Sequence, residues 1–217
     1  MIQRVELKEL AKSQLKGRWK GPVLLTLILA LFYIVVGIIS NSTPAGGLVS
    51  LLIAGPIIVG YFMYYLEFTK TTSDVDFSVA FKGFGIFGKS LGMYLWYLLW
   101  VLLWSLLLYI PGIVKSIAYS QCFYIIAENP GVTVRDALKT SMKMTQGYKW
   151  DMFVMYLSFI GWALLCALTL GIGLLWLYPY MSASFTNLYK KLKEMSLANG
   201  ACTPADFGME ENVLSEE

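Results

Sequence analysis

Lys115, Ser116, Tyr119 and Ser120 crowd into the stretch Tyr109–Tyr124, which reads Y-I-P-G-I-V-K-S-I-A-Y-S-Q-C-F-Y. An ammonium, a phenol and two hydroxyls so close together could line a polar crevice that binds an anionic headgroup. The surroundings are apolar, and an ionisable residue inside a membrane segment is a functional candidate by default. Tyr178, Pro179 and Tyr180 would set a second broken helix beside the first, and paired breaks mark the binding sites of some transporters. The competing reading is plainer. Lys115 lies one helical turn from an outer turn and can snorkel its ammonium to the interface.

Other chemistry is poorly represented. The chain has no histidine, which removes Ser-His-Asp and Cys-His catalysis and His-ligated metals. Its three cysteines, Cys122, Cys166 and Cys202, suit neither a disulfide framework nor a metal site. No phosphate-binding loop, dinucleotide fingerprint, zinc-protease motif or nucleophile elbow occurs. Glu67, Glu128 and Asp151 sit at the ends of apolar runs, so no buried carboxylate pair is available for hydrolysis or proton coupling. The expectation is a protein without enzymatic activity, cofactor or metal.

Composition explains why polar groups are scarce. Hydrophobic residues make up 57% of the 217 and charged residues 14%, against about 25% charged in a soluble domain. Mean hydropathy is +0.61. This is a membrane composition, and no nucleic-acid partner is expected from a net charge of +3. About 20 polar, helix-patterned residues precede the first apolar run, which argues against a cleaved signal peptide.

Residues 1–20 read as an amphipathic interfacial helix. Leu7, Leu10, Ala11 and Leu15 follow one helical face and Arg4, Lys8, Lys12, Lys16, Arg18 and Lys20 the other, the pattern of a helix lying among anionic phospholipid headgroups. Spans follow at 22–40 and 48–68 around the turn cluster 41–47. The run 91–127 is too long for one crossing and is broken at Pro111-Gly112. Trp96, Trp100 and Trp104 recur along one face there as a lipid-facing or packing ridge rather than a ligand-stacking site. Residues 128–150 form a second amphipathic stretch, and spans at 152–168 and 174–188 turn at 171–173.

Charge decides the topology. If the chain reverses at Pro111-Gly112, every Lys and Arg except Lys115 falls on one side, which is then the cytoplasm. Were 91–127 a single kinked span, Arg135, Lys139, Lys143 and Lys149 would be external. The expected fold is therefore all-α. It is a polytopic membrane protein with six transmembrane helices in three hairpins over 21–193, amphipathic in-plane helices on the cytoplasmic side, and both termini cytoplasmic. The approaches G-R-W-K (17–20), F-G-K-S (87–90) and G-Y-K-W (147–150) suggest a threefold repeat. Residues 194–217, acidic with little periodicity, are expected to be a disordered tail.

At P-G-I-V-K-S-I-A-Y-S, S-M-K-M-T-Q-G-Y-K-W-D-M-F, L-S-F-I-G-W and L-T-L-G-I-G-L-L-W-L-Y-P-Y-M the chain resembles a bacterial integral-membrane family. That family is catalogued as domain of unknown function 975 and found mainly in Firmicutes. The resemblance covers about residues 3–193. It implies six spans in a bacterial cytoplasmic membrane and no established activity. The membrane domain attached to some glycerophosphodiester phosphodiesterases is distantly similar around P-G and S-x-x-x-x-x-G, but no such catalytic domain is present. Two functions stay open: a protein that binds or transports lipids or amphiphiles, or a structural or regulatory subunit of a larger membrane complex such as an exporter. Ala163 and Ala167, spaced for close helix approach, fit the second through a membrane-protein partner or a homo-oligomer.

Overall fold

The structure, a computed structural model, describes residues 2–42, 46–107 and 109–209. The described chain is all-α: α1 (Arg4–Leu15), α2 (Lys20–Ser42), α3 (Gly46–Phe68), α4 (Ser78–Gly85), α5 (Phe87–Leu107), α6 (Tyr109–Tyr119), α7 (Cys122–Glu128), α8 (Val134–Met144), α9 (Lys149–Leu168) and α10 (Leu174–Ala198). Among the described residues, four stretches are long and apolar enough to cross a membrane: α2, α3, Ile110–Glu128 and α9. A fifth appears when α4 and α5, bent by 84° at their junction, are counted as one span. The protein is a multi-span membrane protein. α10 is not among these stretches because its long apolar run is interrupted by Ser182, Ser184, Thr186 and Asn187.

The order of one short helix and two long segments occurs three times: α1-α2-α3, α4-α5-α6/α7 and α8-α9-α10. Each short helix packs on the second long segment of the preceding unit. α4 lies on α3, α8 on α7, and α1 closes the circle by lying on α10. At the first of these contacts the backbones nearly touch. A Cβ on Gly60 would collide with the Ala80 carbonyl, and one on Gly83 with the Pro56 carbonyl. Gly17 and Gly147 end α1 and α8 with φ of +79° and +86°, a conformation that glycine adopts without strain. The middle unit departs from this rule: α4 ends at Ile86 with φ −117°, and Gly88 lies inside α5.

The chain does reverse between α5 and α6. The reversal comes earlier than Pro111-Gly112, because both already lie in α6, where a proline in the first turn is tolerated. Residue 108, between the two helices, lies outside the described residues. Gly112 then packs so closely on α5 that a Cβ there would meet Ser105. Trp96, Trp100 and Trp104 are partly buried against the core, as a packing ridge should be.

The core is concentrated at one end of the bundle. α3 buries Gly55, Tyr64, Tyr65 and Phe68 but exposes Leu48, Val49 and Leu52. α9 buries Met152, Met155 and Phe159 and exposes Leu164, Leu165 and Leu168. In α6, α7 and the link between them, Ile117–Ala127 are buried except for Ser120, whereas Ile110, Ile113 and Val114 are not. The three units therefore pack tightly where the short helices and most basic residues gather, and splay from one another at the opposite end, where large apolar side chains are exposed.

Two expectations need correction. The apolar side of α1 is not free for lipid: Leu7, Ala11 and Leu15 are buried in the protein, and only Val5 and Leu10 are exposed. Lys8 donates to Ser158 Oγ (2.6 Å) and stands 4.1 Å over the Phe159 ring, so even part of the basic face is engaged. Nor does a disordered tail describe residues 194–209. α10 continues to Ala198, and Pro204–Phe207 form a 3-10 turn whose capping box joins Thr203 and Asp206. Phe207 and Cys202 are buried. Asn129 Nδ2 donates to the Phe207 and Gly208 carbonyls, and Lys143 pairs with Asp206 at 2.9 Å. Phe207 fills an apolar site under α8 and α10, which outweighs the low hydrophobicity around it. Residues 210–217 lie outside the described residues.

Candidate functional site

The break between α6 and α7 is built by hydrogen bonds that compete with the helix. Ser120 donates its hydroxyl to the Ile117 carbonyl (2.8 Å), a local bond that favours a turn over helix continuation. The Ala118 carbonyl, freed by the break, accepts from Ser141 Oγ of α8 at 2.7 Å. Ser141 Oγ in turn accepts from the Gln121 backbone N–H at 3.2 Å. α8 thus satisfies the backbone that a broken membrane helix exposes.

This break brings Gln121 into the floor of a cavity of ≈ 730 Å³. All six long segments contribute to its wall. Tyr33 comes from α2, Tyr61 and Phe62 from α3, Tyr94 and Tyr97 from α5, Phe123 and Tyr124 from α7, Tyr156 from α9, and Tyr178 and Phe185 from α10. The cavity runs from the packed end toward the splayed end, where Gly171 and Leu174 border it. Tyr33, Tyr156 and Tyr178 are exposed at its edges. Among the described residues no Lys, Arg, Asp or Glu lines it.

Most polar groups at the floor are paired. Tyr61 and Ser182 share a hydrogen bond at 2.5 Å, and Thr186 Oγ1 approaches Tyr124 Oη at 3.3 Å. Ring contacts fix the wall: Phe62 to Tyr124 at 4.2 Å, Tyr156 to Phe185 at 4.4 Å, and Tyr124 stacked on Tyr189 at 4.9 Å. Gln121 is the exception. Its Nε2 donates to Ser120 Oγ at 2.8 Å. Because the Ser120 proton is already given to Ile117, Ser120 can only accept here, which fixes the orientation of the amide. Gln121 is 2% exposed, and its Oε1 has no hydrogen-bond partner among the described residues.

The seven residues expected to form one crevice do not gather there. Ser120 and Tyr178 line the cavity. Lys115 stands 4.6 Å over the Trp104 ring and 5.9 Å from that of Tyr119, outside the lining. Ser116 bonds its own helix at the Ile113 carbonyl, and Tyr119 is buried. Pro179 is buried inside α10, and Tyr180 packs edge-on against Phe159 with Lys12 above it. Of the polar fourth segment, Ser120 and Gln121 line the cavity and Lys115 does not. The tyrosine wall has no sequence signal, since its members come from separate helices and share no spacing.

The carboxylate nearest the core is already occupied. Glu128 accepts from Tyr189 Oη at 2.6 Å and Lys193 Nζ at 2.7 Å, with Lys70 at 3.9 Å. This cluster ties α7, α10 and the α3–α4 loop together at the packed end. No group of His, Cys, Asp and Glu suited to a metal ion occurs among the described residues.

A family model described as protein of unknown function (DUF975) matches residues 1–115 and 106–196. The chain belongs to that family. No curated protein and no solved structure matches it.

Proposed function

We propose that this protein binds or transports lipids or other amphiphiles without chemically changing them, and that the aromatic cavity is its binding site. The observation that carries the reading is the cavity's position and lining. Its ≈ 730 Å³ falls in the range of small-molecule sites, about 300–1,000 Å³. Its wall is aromatic with few polar groups, and its edge lies where the helices splay into lipid. In this reading α10 is the sixth span. Three hairpins then carry the short helices and both termini on the cytoplasmic side of a bacterial membrane. α10 can cross despite its polar residues because Ser184 and Thr186 bond their own helix and Asn187 pairs with Gln14.

The test is to purify the protein in native-lipid particles and identify what is retained, beside Ala30→Trp, which places a large ring in the cavity wall. Retention of an amphiphile class by the wild type and its loss from Ala30→Trp is the expected result. Identical lipid profiles would overturn the reading.

A second reading, as a subunit of a larger membrane complex, draws support from α9, where Ala163 and Ala167 lie exposed. A stoichiometric protein in the same preparation, with no enriched lipid, would favour it.

A further inference from the structure

We infer that the cavity takes an uncharged amphiphile whose polar head donates a hydrogen bond to Gln121 Oε1. This rests on the cavity being the binding site, and it names what the site selects.

Three observations carry it. First, the only buried side-chain oxygen on the cavity lining without a partner, among the described residues, is Gln121 Oε1. It is an acceptor, so it asks for a donor, a hydroxyl or an amide N–H, and because the oxygen itself is buried the wall must give slightly for a head to reach it. Second, among the described residues no charged side chain lines the cavity. A carboxylate or phosphate head would lose its hydration with no cation to replace it, and an ammonium would find ring faces but no anion. Third, the site is elongated. Leu174 and Phe185 of α10 both line it, a rise of about 16 Å along a helix, and the wall between them is largely apolar, its Ser182 hydroxyl being paired with Tyr61. A polar head at the floor with a chain leading toward the splayed end fits that shape.

Gln121 is then a specificity-determining residue. Its orientation is fixed by Ser120, whose proton is held by Ile117, so the acceptor is presented in one direction. A donor head satisfies a buried acceptor, and a head without a donor leaves it orphaned.

The experiment uses the full chain in lipid nanodiscs and four probes with the same chain length: hexadecanol, hexadecyl methyl ether, palmitate and hexadecyltrimethylammonium. Retention of each is counted by native mass spectrometry. Wild type should hold hexadecanol about 5–10-fold better than the ether, the size of one buried hydrogen bond, and hold both charged probes less well. Gln121→Met should remove the preference for the alcohol while leaving the ether bound as before. A merely structural role for Gln121 would weaken all four probes alike. If Gln121→Met does not fold, the order of the four probes on wild type decides by itself. Equal retention of alcohol and ether, or tightest retention of either charged probe, overturns the inference and leaves the amphiphile reading standing. No probe retained by wild type above Ala30→Trp overturns both.

Discussion

Gln14 and Asn187 face each other as a reciprocal amide pair. Asn187 Nδ2 donates to Gln14 Oε1 at 2.9 Å, and Gln14 Nε2 donates back to Asn187 Oδ1 at 3.3 Å. The first residue is on α1 and the second on α10, and Asn187 is 3% exposed. This contact closes the circle of short helices on long ones. Removing one partner strands the other, at about 1–3 kcal/mol for a buried polar group. Asn187→Leu and Gln14→Leu should each lower the unfolding temperature in detergent, and the double variant should be less destabilised than the sum. Strict additivity of the two would show that the pair does not couple α1 to α10.

The docked segment after α10 should respond to pH at both extremes. Burial alone would raise the Asp206 carboxyl, but hydrogen bonds from Lys143 and Thr203 hold it below its ordinary 3.8. The Lys143 ammonium is raised above its ordinary 10.5, chiefly by its bond to Asp206. For the acid, the stabilisation is complete above 3.8 and fades as pH falls through the lowered folded value. For the base it is complete below 10.5 and fades as pH rises past it. Hydrogen exchange of residues 203–208, corrected for intrinsic rate, should therefore be slow and flat between these limits and faster below the acid one. Asp206→Asn should show the faster exchange already at neutral pH. Unchanged exchange in Asp206→Asn would mean that Phe207 alone holds the segment.

The six-span arrangement can be tested by labelling. Thr145 is unsuitable as a cysteine site, because it is buried and its hydroxyl bonds Ser141. Gln146 and Ile172 are exposed. With Cys166 replaced by alanine, a cysteine at Ile172 should react with an impermeant thiol reagent from outside intact cells, and one at Gln146 only after lysis. External labelling at Gln146 would sink the arrangement.

Much of this architecture is legible in the sequence because hydropathy, glycine and charge are local signals. The spans α2, α3 and α9 follow from apolar length, whereas the break near Ser120 is not read from the sequence, where proline and glycine point to Pro111-Gly112, which lie inside α6. Three features are not local. The apolar stripe Leu7, Ala11, Leu15 has the same spacing whether it faces lipid or protein; only the presence of α10 beneath it decides. The segment after α10 carries a readable signal, the spacing Thr203-x-x-Asp206 of a capping box, but its composition argues for disorder until Phe207 finds its site. The cavity is assembled from tyrosines scattered one or two at a time over six segments, each of which alone looks like an interfacial aromatic.

Lys115 offers the last discrimination. It stands 4.6 Å over the Trp104 ring, where the indole face can compensate its charge. Such a contact contributes about 0.5–2 kcal/mol, more as it is desolvated. Lys115→Arg keeps a cation that can stack on the ring and should leave stability nearly unchanged. Lys115→Gln and Trp104→Leu should each destabilise, and a double-mutant cycle should return a coupling of about that size, separating the ring contact from the packing that Trp104→Leu also removes. A headgroup site would behave differently. Retention of anionic phosphatidylglycerol by the purified protein would then fall in Lys115→Gln, while coupling to Trp104 would be near zero. Retention unchanged in Lys115→Gln, together with a measurable coupling, is the expected result. A loss of about tenfold or more in phosphatidylglycerol retention, with the fold intact, would return Lys115 to the centre of a binding site.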